Sequence, residues 1–321
     1  MRAWGAVLSA MLCLAPAFPK EKPKKGQEDP ASSDPGKGIN FYSLEREIAL
    51  GRQMSREVER DARMVLDGGI SEYVNRLGQN LVRNSDAKVP FTIKVIDSDE
   101  VNAFALPGGF LFVNTGLILK ADSESELAGV MAHEIAHVAA RHGTRQATRG
   151  ELINYGSIPL IFFGGWVGYA VRQAAAIAVP MGFLRFSRGM ETEADYLGLH
   201  YVYRSGYDPL AFVDFFEKME AMEKSRPNSV ARLFSTHPMT ADRIRHAQKE
   251  IQTEFKALPE YVVDTSEFQA VRDRLARIQA RRRGQEENEY LPVLKRRTAA
   301  GSAWPVQPPD AANRTSGDVG G

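Results

Sequence analysis

The 321-residue sequence predicts an α+β fold that is mainly helical, with a small sheet beside the helices. Apolar residues recur at helical spacing in several segments, whereas residues 90–97 alternate as a strand does. Two further short apolar runs, 101–106 and 110–115, flank Pro107-Gly108-Gly109. This tripeptide is a strong turn signal, so the two runs are expected to form a hairpin. A stretch of about 220 residues is ample for one buried core.

The start of the chain predicts a signal peptide over residues 1–17. A basic residue, Arg2, precedes an apolar stretch, and Ala15-Pro16-Ala17 offers a small-x-small cleavage site. The apolar stretch is too short to span a membrane. It contains the only cysteine, Cys13, so a mature chain would have no disulfide. Residues 18–38 are rich in Lys, Pro, Ser, Asp and Gly and predict a flexible leader.

Helical periodicity predicts the remaining elements of the core. The expected helices cover residues 40–65, 70–84, about 124–145, a segment opened by Tyr207-Asp208-Pro209, 242–255 and 266–283. The third of these has additional support, because Ser123 and Glu126 have the spacing of a capping box.

This third helix carries the most informative motif of the chain, His133-Glu134-Ile135-Ala136-His137. Two histidines four residues apart share one helix face, so both imidazoles can bind one metal ion. Glu134 can reach a metal-bound water without binding the metal, as in zinc-dependent peptidases. A catalytic zinc site has three protein ligands and an open position, so we expect one Zn²⁺ per chain and a third ligand elsewhere.

The segment 187–195 is the best source of that third ligand. Glu191 and Asp195 are four residues apart and share a helix face, so Glu191 can bind the metal while Asp195 orients a ligand from behind. Glu193 points roughly the opposite way and is the alternative ligand. Without the upstream motif, this segment would be read as a solvated acidic helix start.

These motifs, taken with Ser235-Thr236-His237-Pro238 and Arg243, resemble the Ste24/HtpX superfamily of zinc metallopeptidases, and in particular its soluble, secreted BepA-like branch. The similarity covers roughly residues 40–254. It implies a zincin-like fold whose small sheet lies beside the metal-binding helix. It also implies that His133, His137 and Glu191 are the zinc ligands, that Glu134 is the general base and that Asp195 supports the ligands.

The resemblance assigns three further residues to the site. Asn102 matches an asparagine near the substrate backbone, and Arg243 matches an arginine close to the zinc. His237 matches a histidine that stabilises the tetrahedral intermediate, or that binds the zinc and keeps BepA-like enzymes latent. Without the resemblance, His237 is a loop histidine with no assigned role. His142, His200 and His246 have no motif partner in the sequence.

Two functional hypotheses remain open. The first is a secreted, periplasmic zinc endopeptidase that degrades misfolded or stalled envelope proteins in quality control. The second is a chaperone-like module that binds such clients while its zinc is structural or held latent. Glu134 favours the enzyme, because a purely structural site has no need of a base. The net charge of +1 gives no indication of a nucleic-acid partner.

Domain boundaries follow from composition and from the extent of the resemblance. We expect a peptidase domain over residues 39–258, a helical extension over 259–297 and a disordered tail over 298–321. No repeat signature is visible after the peptidase domain, so a docking role through helical repeats is not carried over.

An apolar, glycine-rich segment at 153–184 has three interpretations. It is a buried hairpin that covers the cleft, a surface element that dips into a membrane or a membrane-protein client, or a re-entrant or spanning segment. Its first uninterrupted apolar run, 158–171, is shorter than the roughly 20 residues that a spanning helix needs.

Overall fold

The protein is described here from a computed structural model. The structure describes residues 35, 38–150, 186–225, 237 and 240–290. The expected signal peptide, the apolar segment 153–184 and the expected tail 298–321 lie outside these residues, as does all but a few residues of the expected leader.

The described part of the chain is mainly helical, as predicted. Its helices are α1 (Leu44–Asp61), α2 (Gly68–Arg83), α3 (Thr115–Lys120), α4 (Glu124–Ala139), α5 (Arg188–Arg204), α6 (Leu210–Ser225), α7 (Ala241–Glu254) and α8 (Ser266–Tyr290). Residues 142–150 are also helical. Its strands are β1 (Thr92–Ile96), β2 (Ala103–Leu106) and β3 (Phe110–Asn114). None of the described helices is both long and apolar enough to cross a membrane.

The three strands form one sheet in the order β1-β3-β2. Strand β1 runs parallel to β3, whereas β2 and β3 form the predicted antiparallel hairpin. Gly108 and Gly109 make its turn with φ of 75° and 94°, which a residue with a side chain rarely adopts. Because β2 has β3 on one side only, it is an edge strand of the described sheet.

Helix α4 occupies the centre of the molecule. Every one of its residues is buried, and it packs against the sheet and against α2, α5 and α6. Close approach to α5 depends on Gly198, where an added Cβ would lie 3.2 Å from the Cα of His133. A bare backbone at Gly198 therefore lets α5 lie directly against the part of α4 that carries the histidine motif. This arrangement confirms the expected small sheet beside the motif helix.

The prediction that the motif helix continues to about residue 145 is wrong. Helix α4 ends at Ala139, and Arg141 has a φ of 55°, a left-handed conformation that costs a residue with a side chain about 1–2 kcal/mol. The Arg141 guanidinium compensates by donating to Glu47 Oε2 (2.8 Å) and to the Tyr42 carbonyl (2.6 Å). The left-handed residue at this break is Arg141 and not a glycine, and the nearby Gly143 lies within the helical stretch that follows, so helical periodicity alone could not reveal it.

The described residues up to Ala276 form one compact unit, and a second unit begins at Arg277 within α8. The first turns of α8 belong to the compact unit, because Phe268, Val271 and Leu275 lie in its apolar core.

Candidate metal centre

The two motif histidines face the same point from one side of α4. The Nε2 atoms of His133 and His137 are 3.0 Å apart, and each side chain is 2% exposed. The capping interaction predicted at the start of this helix is present, since Ser123 Oγ accepts from the Glu126 backbone N–H. The face of the His137 ring stacks on the ring of Phe186, with ring centroids 4.1 Å apart.

Helix α5 brings Glu191 to the same point. Ser187 caps this helix, and Glu191 lies in its first turn. Glu191 Oε2 is 3.5 Å from His133 Nε2, and Oε1 is 3.7 Å from His137 Nε2. His237 completes the cluster, with its Nδ1 3.3 Å from His133 Nε2 and 3.1 Å from Glu191 Oε1.

The donor set fits a zinc ion. One ligand atom from each of His133, His137, Glu191 and His237 lies within 4.8 Å of all the others, and all four residues are buried. Zn–N distances of about 2.0–2.1 Å in a tetrahedron place ligand atoms about 3.3–3.4 Å apart. The separations between 3.0 and 3.7 Å scatter around that value. Three imidazoles and a carboxylate are also the ligand types that zinc favours.

Glu134 lies between this cluster and the edge strand. Its Oε2 accepts a hydrogen bond from the Ala105 backbone N–H in β2 (3.1 Å), and its Oε1 is 3.4 Å from His237 Nε2. Among the described residues, Oε1 has no hydrogen-bond partner. Burial raises the pKa of the Glu134 carboxyl, although the nearby His237 and His133 act in the opposite direction. The carboxyl is therefore suited to accept a proton.

Asp195 and Arg243 support the cluster from behind. Arg243 donates from Nε and from one Nη to the two oxygens of Asp195, both at 2.6 Å, and its other Nη is 2.9 Å from Glu191 Oε2. Asp195 Oδ1 in turn lies 3.0 Å from His133 Nδ1. The structure thus places Asp195 behind His133 and shows that Arg243 joins Asp195 to Glu191.

The charges of the metal-free cluster are strongly coupled. Burial alone would lower the pKa of His133, but Asp195 and Glu191 outweigh it and raise that pKa to about 9. Burial acts to raise the pKa of Glu191, yet His237 and His133 outweigh it and lower that pKa. For His137, burial dominates and lowers the pKa. A proton on His133 therefore adds to the positive charge that Arg243 already places beside the two carboxylates.

Sequence reasoning missed the pair of His142 and Glu193 behind His137. His142 has no exposed surface, and its Nδ1 lies 2.8 Å from His137 Nδ1. Its Nε2 is 3.1 Å from Glu193 Oε2, which also accepts from Arg145 at 3.1 Å. Glu193, the alternative ligand, therefore contacts His142 and Arg145 and lies outside the four-donor cluster. The only sequence signal was a third histidine five residues after the motif, which looks significant only once the break at Arg141 is known.

Asn102 lies at the entrance to β2, three residues before Ala105. It is buried, and its Oδ1 has no hydrogen-bond partner among the described residues. Its backbone carbonyl accepts from the Asn114 N–H (3.0 Å), which holds it beside the hairpin. Its expected contact with a substrate backbone remains a prediction.

Comparison with known proteins links this geometry to characterised enzymes. The sequence profile of Peptidase family M48 matches residues 70–251. The beta-barrel assembly-enhancing protease of Escherichia coli strain K12 is 33% identical over 241 residues, which are 70% of this chain and 49% of that protein. A putative beta-barrel assembly-enhancing protease of Vibrio cholerae is 34% identical over 250 residues, 74% of this chain and 51% of that protein.

A more distant match comes from mitochondria. The mitochondrial metalloendopeptidase OMA1 of Schizosaccharomyces pombe is 33% identical over 179 residues, which are 55% of this chain and 52% of that protein. The chain thus spans about half the length of the curated relatives that it matches.

Proposed function

The chain belongs to peptidase family M48, and on that premise we propose that it is a zinc-dependent endopeptidase that hydrolyses backbone amides of unfolded protein segments. The observation that carries the proposal is the position of Glu134. Its carboxyl is buried between the four-donor cluster and the edge strand β2, with Oε2 hydrogen-bonded to the Ala105 N–H and Oε1 3.4 Å from His237 Nε2. A structural metal site has no use for a buried carboxyl so placed, whereas peptide hydrolysis requires a base there.

The roles of the protein groups follow from their contacts. A bound zinc ion would lower the pKa of a coordinated water and polarise the substrate carbonyl. Glu134 takes the proton of the attacking water and delivers it to the leaving amine. The Ala105 N–H fixes the carboxyl during both transfers, because it holds Oε2 and leaves Oε1 to exchange the proton. Asn102 and His237 are the donors proposed for the developing oxyanion.

His237 has a second proposed role, which is to keep the enzyme latent. In the described arrangement its Nδ1 lies among the ligand atoms, at 3.3 Å from His133 Nε2. Four protein ligands are typical of a closed zinc site, whereas a catalytic site keeps one position for water. Withdrawal of His237 would leave His133, His137 and Glu191 as ligands and would free that position. The expected switch is thus between a closed four-ligand and an open three-ligand site.

The edge strand is the proposed docking place of the substrate. An extended peptide can add to β2 through backbone hydrogen bonds, which hold many sequences alike. The relatives named for assistance in β-barrel assembly suggest misfolded or stalled envelope proteins as substrates. A secreted, periplasmic location and contact with membranes or membrane proteins through 153–184 are part of the same proposal.

The closed donor set also favours a second candidate, a chaperone-like module whose zinc is structural or permanently latent. One experiment separates the two. The purified full chain is analysed for zinc and assayed for casein cleavage beside Glu134→Gln, each with and without chelator. Cleavage that requires both zinc and Glu134 supports the peptidase. Bound zinc without cleavage by wild type or by His237→Ala supports the binding module.

A further inference from the structure

A second group of potential metal ligands lies where α5 and α7 pack against each other, apart from the cluster described above. His200 of α5 faces Glu250 and Glu254 of α7, which are four residues apart and therefore share a helix face. His200 Nε2 is 3.9 Å from Glu250 Oε1 and 3.4 Å from Glu254 Oε2. One ligand atom from each residue lies within 4.8 Å of the other two.

Two of these ligand atoms are buried without a hydrogen-bond partner among the described residues, namely His200 Nε2 and Glu250 Oε1. Their side chains are 20% and 14% exposed. Both measured separations in the group are longer than an ordinary hydrogen bond. Buried polar atoms without partners are uncommon and costly, so a pair that points at one place indicates something bound between them.

The space between His200, Glu250 and Glu254 has too little positive charge around it to balance the two carboxylates. Burial, followed by Glu254 and Asp195, raises the pKa of Glu250 to about 8. Burial and the neighbouring Arg204 lower the pKa of His200, although Glu254 and Asp86 act in the opposite direction. Tyr196 donates from its hydroxyl to Glu254 Oε2 at 3.3 Å and supplies no charge. Two carboxylates thus lie close to each other, and a divalent cation bound between them would favour their ionised forms.

We propose that His200, Glu250 and Glu254 bind a second divalent cation, for which zinc is the best match. An imidazole nitrogen with two carboxylate oxygens is a donor set that zinc binds well, whereas Ca²⁺ takes six to eight oxygen ligands and Mg²⁺ an octahedron of them. The separations of 3.4 and 3.9 Å are close to the ligand spacing of a tetrahedral site. Water would supply the fourth ligand through the exposed side of Glu254.

Such an ion would clamp α5 to α7. Helix α5 carries Glu191 and Asp195, while α7 carries Arg243 two turns before Glu250. Arg243 contacts both acidic residues of the catalytic cluster. A cation between the helices would therefore hold Arg243 in place.

The test counts zinc ions per chain. The full-length chain in a Glu134→Gln background, which removes self-cleavage, is titrated with zinc by calorimetry and checked by elemental analysis. We expect two zinc ions per chain, and one in the His200→Ala and Glu254→Gln variants. His246→Ala is the matched control, because His246 is an exposed histidine of α7 outside the group, and it should bind two. The second equivalent should raise the melting temperature of the background protein and of His246→Ala only.

Glu254→Gln is included because Glu254 is 40% exposed and its replacement should leave the fold intact. One zinc per chain that persists in His200→Ala would overturn this inference while leaving the catalytic site in place. A single zinc that disappears in His200→Ala would instead support this inference and refute zinc at the catalytic cluster. Two zinc ions per chain in the Glu134→Gln background and in all three further variants would also refute this inference, because the second ion would then lie elsewhere.

Discussion

His142 Nδ1 lies 2.8 Å from His137 Nδ1, so one imidazole of the proposed zinc site is held from behind by another. Since His137 faces the other ligands through Nε2, its proton belongs on Nδ1, from which it donates to His142. The proton of His142 is then on Nε2, where it donates to Glu193, and Arg145 satisfies the same carboxylate. This chain fixes both tautomers and the orientation of the His137 ring.

Replacement of His142 should weaken zinc binding without removing a ligand. We expect His142→Ala to lower zinc affinity by roughly 10–100-fold, the usual effect of losing such support. The measurement is competition with a chromophoric chelator at fixed pH. Glu193→Ala, at a partly exposed position, should show a smaller loss in the same direction. Unchanged affinity in both variants, with His246→Ala as the control, would contradict the positioning role.

Glu134→Gln should retain zinc and lose cleavage. The amide keeps the volume and one oxygen to accept from Ala105, but it cannot take a proton. The cleavage rate should fall by about 10²–10⁴-fold, the usual contribution of a general base. Elemental analysis and a casein assay on the same preparations provide the check. If Glu134→Gln cleaves as fast as wild type, another group is the base.

His237→Ala should distinguish latency from catalysis. Removal of the fourth donor opens a position for water, so a latent enzyme should cleave faster while zinc stays bound. If His237 instead acts mainly as an oxyanion donor, the rate should fall by about a hundredfold or more. Rates are compared at saturating zinc, together with zinc stoichiometry. An unchanged rate would contradict both roles.

Arg243→Ala should destabilise the fold. Asp195 and Glu191 are buried, and the loss of their shared partner leaves two carboxylates with only a protonated His133 to offset them. We expect a decrease in the free energy of unfolding of about 3–5 kcal/mol, measured by urea denaturation of metal-free protein. Arg245→Ala removes an exposed arginine from the same helix and should change the stability little. Equal stability of the two variants would show that the buried network adds nothing.

The metal-free chain should lose stability at alkaline pH through His133. Its pKa in the folded chain is raised to about 9 from a usual value of 6.5. A raised pKa means that protonation favours the folded state, so the contribution is complete below pH 6.5 and disappears as the pH rises through 9. The expected loss is about 3 kcal/mol. It should be visible as a stability difference between chelator-treated wild type and His133→Gln that shrinks between pH 7 and 10.

Local sequence signals predicted the parts of the fold that depend on neighbours in the chain. The capping pair Ser123 and Glu126, the glycine turn at 108–109 and the histidine motif each act within a few residues, and the corresponding elements are present. The end of the motif helix was not predictable, because the left-handed Arg141 is held by Glu47 from a distant helix.

In the candidate site, too, some residues could be predicted from local sequence, whereas other contacts could not. Its proposed ligands were predicted from motifs and a family resemblance, and the structure brings His133, His137, Glu191 and His237 together. The contacts of His142 with Glu193, and of His200 with Glu250, join residues about fifty positions apart. Such contacts depend on how the helices pack, and no periodicity in a single sequence carries that information.

The hydrogen bond from the Ala105 N–H to Glu134 couples the carboxyl that we propose as the general base to the edge strand β2. An extended polypeptide that pairs along β2 leaves this hydrogen bond intact, and the Glu134 carboxyl then faces the bond to be cleaved. A polypeptide that binds at another angle displaces β2 and, through the same hydrogen bond, turns the Glu134 carboxyl away from the scissile bond. Discrimination of this kind depends on whether a stretch of backbone is free to straighten, whatever its side chains. If the proposed docking on β2 holds, a natively folded protein, whose backbone amides are already hydrogen-bonded, should not be cleaved.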